Sequence, residues 1–174
     1  MDFVSHILIG RTLATSQKNS KRDISLITFF SFLPDLPVIF VYLYLGFIKA
    51  RPFLIPLNTD WDGFRTFHPA WSALWEVPHS YFFALLIILP FILFFKLPKM
   101  AFVAYLSHIF VDLFTHAGEW ATKPFYPIPY QVHGLTNAWA WSLSSMVASW
   151  IVLLALIILL NFILRKNKKY SLQN

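Results

Sequence analysis

No cysteine occurs among the 174 residues, which excludes a disulfide framework and any zinc or iron–sulfur site ligated by thiolate. A metal in this chain must be held by nitrogen and oxygen. Charge is equally scarce, with Asp, Glu, Lys and Arg making up 13% of the residues, too little to cover a soluble domain of this length. There is no internal repeat, no low-complexity stretch and no composition break that would mark a second domain. The N-terminus lacks a signal-peptide pattern. Asp2, His6 and Arg11 interrupt its apolar residues, and Lys18, Lys21 and Arg22 follow rather than precede them.

What is present is apolar and aromatic: 57% hydrophobic residues, 19% Phe, Trp and Tyr, and a mean hydropathy of +0.60. Such values predict an integral membrane protein. The apolar runs are long and unbroken, which predicts an all-α helical bundle rather than the short alternating segments of a barrel. Four spans are expected, over residues 24–47, 81–97, 100–116 and 139–164, with a shorter N-terminal helix over 1–16 half-inserted against them. One domain covers 1–166, followed by a polar, frayed tail over 167–174.

A net charge of +6 suggests nucleic acid until the basic residues are located. Lys18, Lys21 and Arg22 precede the first span, Lys96 and Lys99 lie between the second and third, and Arg165, Lys166, Lys168 and Lys169 follow the fourth. These are topology signals and headgroup contacts, so the expected partner is the lipid bilayer and no nucleic acid. Four spans put all three clusters in the cytoplasm, which predicts a bacterial inner-membrane protein with a cytoplasmic C-terminus. The opposite face receives residues 48–80 and 117–138, although Lys49, Arg51, Arg65 and Lys123 fall there against the rule. Pro124, Pro127 and Pro129 forbid regular helix in the second of these connections and predict an extended, turn-rich loop.

Within the third expected span, His108, Asp112 and His116 recur every four residues. On a helix they form a slowly twisting polar row rising roughly 6 Å per step. An Asp at mid-membrane depth costs about 2.5–3.5 kcal/mol on insertion scales, so ionisable groups there mark a functional site by default. Imidazole and carboxylate on adjacent turns suit a divalent metal such as zinc. A hydrogen-bonded pair that locks helix packing is the alternative for His108 and Asp112.

Other polar residues fall at matching depth. Counted from the basic end of each span, Asp35 and Asp112 lie roughly 18 Å up, His108 about 12 Å, His116 about 24 Å and His79 about 25 Å. His6 lies about 15 Å above Lys18 if its helix stands upright. Asp35 sits between Pro34 and Pro37, where it either serves the site or caps the second half of a kinked helix. His79 opens a helix, where the N-terminal dipole favours a neutral, metal-binding ring. At about 12 Å from His108 along the axis, His116 cannot share its ion, but it can serve a second ion or act as an acid or base. His68, His133 and Glu119 read as solvated loop residues, and no Ser-His-Asp nucleophile follows from Ser5, Ser80 or Ser107 standing beside histidines.

In order along the chain, Ser5-His6, Leu33-Pro34-Asp35, His79-Ser80, Ser107-His108-Ile-Phe-Val-Asp112 with Thr115, and Pro124-Phe125 resemble the motifs of YdjM-like membrane-bound metal-dependent hydrolases. The resemblance covers roughly residues 1–128. That family is distantly similar to the all-α zinc phospholipase C and P1 nuclease group. It implies that His6, Asp35, His79, His108 and Asp112 are metal ligands. One departure is Trp75-Glu76-Val77-Pro78, which stands where the family has a basic, glycine-containing stretch before its His-Ser pair. His116 is an additional imidazole, and the segment 49–76 is unusually long and aromatic.

The expected activity is zinc-dependent hydrolysis of a phosphoester, such as a lipid or envelope precursor, with Asp35 and His116 handling protons. The rivals are an ion-coupled transporter, in which the same groups bind a proton or metal in transit, and a non-catalytic scaffold.

Overall fold

Two side-chain caps start the fold. Asp2 accepts a hydrogen bond from the Ser5 amide (3.0 Å) and opens helix α1, Phe3–Thr15. Ser20 and Asp23 form a reciprocal capping box that opens α2, Lys21–Phe32. The computed structural model describes residues 2–16 and 19–170. Met1, Lys18 of the first basic cluster and residues 171–174 of the expected tail lie outside the described residues.

Pro34 and Pro37 then interrupt the helix, because neither donates a backbone N–H and each restricts the residue before it. The chain makes a 3₁₀ turn over Leu33–Asp35 and resumes as α3, Val38–Ile48. α3 begins with no side-chain cap, so Asp35 is not a capping residue. The segment after α3 folds into short helices, of which α4 is Phe64–Phe67 and α5 is Pro69–Glu76. α6 (Tyr81–Phe83), a π-helical stretch over Ala84–Ile88 and α7 (Leu89–Phe94) follow as one bent rod. The π stretch abuts Pro90, whose missing N–H already breaks the regular ladder. α8 is Lys99–Thr115, and after an irregular, proline-containing connection α9 runs over Leu143–Tyr170. Among the described residues there is no β-strand, only an isolated bridge between Thr122 and Val132.

α2 packs on α1 and α8, α9 packs on α1, and α3 packs on α5. The buried residues of α8 recur every three or four positions: Ala101, Ala104, Tyr105, His108, Ile109, Asp112 and Thr115. Core and polar row therefore share one face. Ala101, Tyr105 and Ile109 meet Ile27 and Phe30 of α2 and Ile88 and Ile92 of the bent rod. A second apolar cluster joins Val41 and Leu45 to Trp61 and Phe64.

Two helices are long and apolar enough to cross a membrane: Lys21–Ile48, with its shallow proline break, and Leu143–Leu164. Pro69–Glu76 with Tyr81–Phe94, bent by 57°, makes a third if the pair is one span. The expected span at 100–116 corresponds to α8, whose 17 residues reach only about 26 Å at 1.5 Å per residue. α9 continues through residues 167–170 of the expected tail.

In the segment after α3, Asp60 receives both arms of the Arg51 guanidinium (2.8 and 2.7 Å) and the Leu57 amide (2.8 Å). These bonds, the Arg51 fork foremost, lower the Asp60 pKa to about 2. A carboxyl depressed on folding stabilises fully above its unfolded value of about 4 and stops doing so as the pH falls through its folded value. Limited proteolysis of residues 51–63 is therefore expected to accelerate between about pH 4 and pH 2. In Arg51→Gln that acid-induced step should disappear; an unchanged step would assign it to other groups.

Candidate metal centre

Five side chains from separate elements converge in the interior. His6 comes from α1, Asp35 from the turn after α2, His79 from the turn before α6, and His108 and Asp112 from α8. His108 Nε2 lies 3.0 Å from His79 Nε2, 3.2 Å from Asp112 Oδ2 and 3.6 Å from Asp35 Oδ1. His79 Nε2 lies 3.4 Å from Asp35 Oδ1 and 3.6 Å from Asp112 Oδ2. The His6 ring stacks on His108 at 3.6 Å between centroids, and its Nε2 is 3.2 Å from Asp112 Oδ1. Asp35 is 16% exposed, whereas His6, His79, His108 and Asp112 are at most 3% exposed.

Backbone carbonyls set the ring tautomers. His108 Nδ1 donates to the Ser31 carbonyl (2.8 Å) and His79 Nδ1 to the Trp75 carbonyl (2.6 Å). A carbonyl only accepts, so both protons sit on Nδ1, and in the neutral rings both Nε2 atoms present lone pairs. Those lone pairs face each other across 3.0 Å, beside two carboxylates. The arrangement is repulsive unless a shared proton or a metal cation stands among the four atoms. An N–H held by a carbonyl behind the ring is also the usual support of a metal-binding histidine. His6 adds a further sign: both ring nitrogens are buried, and neither makes a hydrogen bond in a favourable direction.

Packing explains how these groups are held. Tyr105 donates through its hydroxyl to the Pro78 carbonyl, fixing the turn that carries His79. The proline-containing loop clamps the same turn, since Tyr81 N donates to Pro124 O (2.7 Å) and Ser80 Oγ to Tyr126 O (2.9 Å). Ser31 Oγ donates to the His6 carbonyl at 2.8 Å, tying α1 to α2 at the level of the cluster. Asp2 accepts from Trp150 Nε1 (2.9 Å), which ties α9 to the start of α1.

No family model, curated protein or solved structure matches this chain. What the centre can do is therefore read from its own atoms. The ligand atoms of His6, Asp35 and His108 lie within 4.8 Å of one another, as do those of His79, His108 and Asp112. These buried groups could hold a metal ion. With neutral imidazoles the two carboxylates carry two negative charges, which a divalent cation would balance.

His116 borders the centre through Asp112. α8 ends at Thr115, and His116 has extended backbone (φ −122°, ψ 114°). Its Nδ1 comes within 3.9 Å of Asp112 Oδ1. His68 is bound elsewhere, through Nδ1 to Tyr44 Oη at 3.1 Å, and His133 and Glu119 are exposed. The supporting roles of Ser31 and Trp75 were not read from sequence, because both act through carbonyls that every residue possesses. A weak signal existed for Ser31, a small polar residue one turn before Asp35.

Proposed function

We propose that this chain is a membrane-embedded, zinc-dependent phosphoester hydrolase of the YdjM-like kind. In this reading the bundle crosses the bacterial inner membrane four times, through α2–α3, the bent α5–α7 rod, α8 and α9, with the C-terminus in the cytoplasm. α8, about 26 Å long, packs on the longer α2–α3 rod, and local thinning or solvent access meets its ends. The basic residues Lys21, Arg22, Lys96 and Lys99 fit one common face.

The observation that carries the reading is the facing pair of His79 and His108 between Asp35 and Asp112. Five separations among these four ligand atoms run from 3.0 to 3.6 Å. Around a tetrahedral zinc with bonds of about 2.0–2.1 Å, neighbouring ligand atoms lie about 3.3 Å apart. His108 Nε2 belongs to both candidate ligand groups and has one lone pair to give, which favours a single shared ion over two.

Zinc bound there would polarise an ester oxygen and lower the pKa of water toward about 7. With His79, His108 and Asp112 as the three ligands, the fourth position would stay open to water, and Asp35, the most exposed of the five, would accept that water's proton. Asp35 would then give that proton up to the departing ester oxygen as the phosphorus–oxygen bond breaks, with His116, held beside Asp112, placed to relay it. Asp112 holds His6 and His108, while the Ser31 and Trp75 carbonyls keep two rings in the required tautomer.

Access supports an apolar substrate. Asp35 lies in a groove of about 350 Å³ whose walls include Ile39, Leu43, Phe53 and Ile55, all exposed. A lipid-linked phosphoester fits a carboxylate reached through such a groove.

Protein purified without chelator is expected to carry stoichiometric zinc and to hydrolyse aryl phosphate mono- or diesters, losing activity to a chelator and regaining it with zinc. A metal-free protein from zinc-supplied medium would overturn this proposal, since one shared proton also satisfies the facing imidazoles. Zinc without hydrolysis would instead favour the ion-coupled transporter.

A further inference from the structure

Beside the His/Asp cluster lies a second polar feature that the proposed hydrolysis does not use. A cavity of about 390 Å³ is lined by Tyr42, Trp61, Trp75, Trp120 and Trp139 and includes Arg65 and Lys123. Pockets of this volume admit small ligands, and aromatic walls with a few directed polar groups are their usual composition. Arg65, from α4, has its guanidinium carbon 4.6 Å from the centre of the Trp75 ring.

The Arg65 head is buried but not satisfied. Its Nε lies 3.2 Å from Glu76 Oε1, yet Lys123 Nζ already bonds that oxygen at 2.7 Å. None of the three guanidinium nitrogens has an acceptor in hydrogen-bonding geometry, although all three are shielded from solvent. A guanidinium offers five N–H donors and accepts nothing. Trp139 Nε1, also in the lining, is a further buried donor with no acceptor. The buried Glu76 carboxylate thus faces two cations, and the acid in the lining, Glu119, is exposed, accepts from the Gly63 amide at 3.4 Å and also acts on the Arg65 charge. Spare guanidinium and indole donors in an aromatic enclosure are what an oxyanion requires.

We propose that this chamber is an oxyanion subsite in which Arg65 and Lys123 hold a phosphate-type group on the substrate headgroup. The chamber adjoins the metal centre. Trp75 lines it while the same ring stands 5.6 Å from the His79 ring and 6.0 Å from the His116 ring. Val38, Tyr42 and Trp139 line both the chamber and the groove onto which Asp35 opens. One molecule can therefore lay an apolar chain in the groove, its ester at Asp35 and a second anionic group against Arg65. The substrate class is a lipid-linked ester with an additional oxyanion on its headgroup, such as a diphosphate or a phosphorylated head. This substrate assignment rests on the hydrolase reading; the binding of an oxyanion at Arg65 does not.

The full chain, freed of metal by chelation, would be titrated with inorganic phosphate against chloride at matched ionic strength, with tryptophan fluorescence and calorimetry as readouts. Wild type should bind phosphate saturably, and Arg65→Gln should bind at least tenfold more weakly. Glu76→Gln removes the competing carboxylate and should tighten binding, a direction that misfolding does not produce. A second arm compares nanodiscs of phosphatidylcholine alone with nanodiscs containing phosphatidic acid. A response only to phosphatidic acid makes the ligand a lipid headgroup, and a response to free phosphate makes the subsite open to soluble anions. Arg65→Gln titrating like wild type, or no saturable response to either probe, would overturn the subsite. Loss of zinc binding or hydrolysis with phosphate binding intact would count against the metal reading alone.

Discussion

Asp112→Ala is expected to abolish stoichiometric metal binding and to lower phosphoester hydrolysis by about 10³-fold or more, because changes outside the ligand set alone cost about 10–100-fold. Asp112 is the common neighbour of the centre, within 3.2 Å of both His6 and His108, 3.6 Å of His79 and 3.9 Å of His116. Removing one partner from such a buried ionic group typically costs about 3–5 kcal/mol, so a lower unfolding temperature in detergent should accompany the loss of metal. His116→Ala separates binding from chemistry. It should retain metal while activity falls by about 10²-fold or more, the usual contribution of a positioned acid or base. Metal analysis by mass spectrometry beside the hydrolysis rate decides both variants. Asp112→Ala with full metal content would remove the cluster from consideration as the metal centre, and His116→Ala without metal would make His116 a ligand.

Gly10→Val should disable the same centre from a distance. A Cβ on Gly10 would lie 2.1 Å from Ser31 Oγ and 2.5 Å from Ser31 Cβ, with the Thr28 Cα at 3.2 Å. Rotating the Ser31 hydroxyl relieves only the first of these contacts, so α1 and α2 must separate. Ser31 supplies the carbonyl that holds His108 Nδ1 and the hydroxyl that holds the His6 carbonyl. Overpacking of this sort costs about 1–3 kcal/mol, and loss of the outer support of a ligand lowers metal affinity by about 10–100-fold. Ser31→Ala is the control, since it keeps the carbonyl and should bind metal nearly as well as wild type. Thermal unfolding and metal titration provide the check. If Gly10→Val binds metal normally and unfolds at the wild-type temperature, close approach of α1 and α2 is not what positions His108.

Much of the architecture could be read along the chain because its causes are local. The apolar lengths behind Lys21–Ile48 and Leu143–Leu164 are properties of composition, and the break at Leu33–Asp35 follows from Pro34 and Pro37. Span count was harder. α8 looked like a crossing because its residues are apolar, yet seven of its 17 positions are buried against other helices, and burial in protein and in lipid select similar side chains. The spacing of His116 made it a neighbour of the polar row, but its exact approach to Asp112 depends on regular helix stopping at Thr115. The Arg65 chamber left no sequence signal, since aromatic residues in a loop read equally well as an interfacial belt.

The amino-acid order by itself determined the helical class, the absence of thiolate ligands and which few ionisable residues stand in apolar surroundings, because each depends only on side-chain chemistry and short-range spacing. Only the tertiary structure decided that His6, Asp35, His79, His108 and Asp112 converge, that two imidazole Nε2 atoms face each other across 3.0 Å, and that Arg65 is buried with donors to spare. Those facts depend on the azimuth of each helix and on backbone carbonyls from distant segments. Packing sets both, and neither is written in any local stretch of chain.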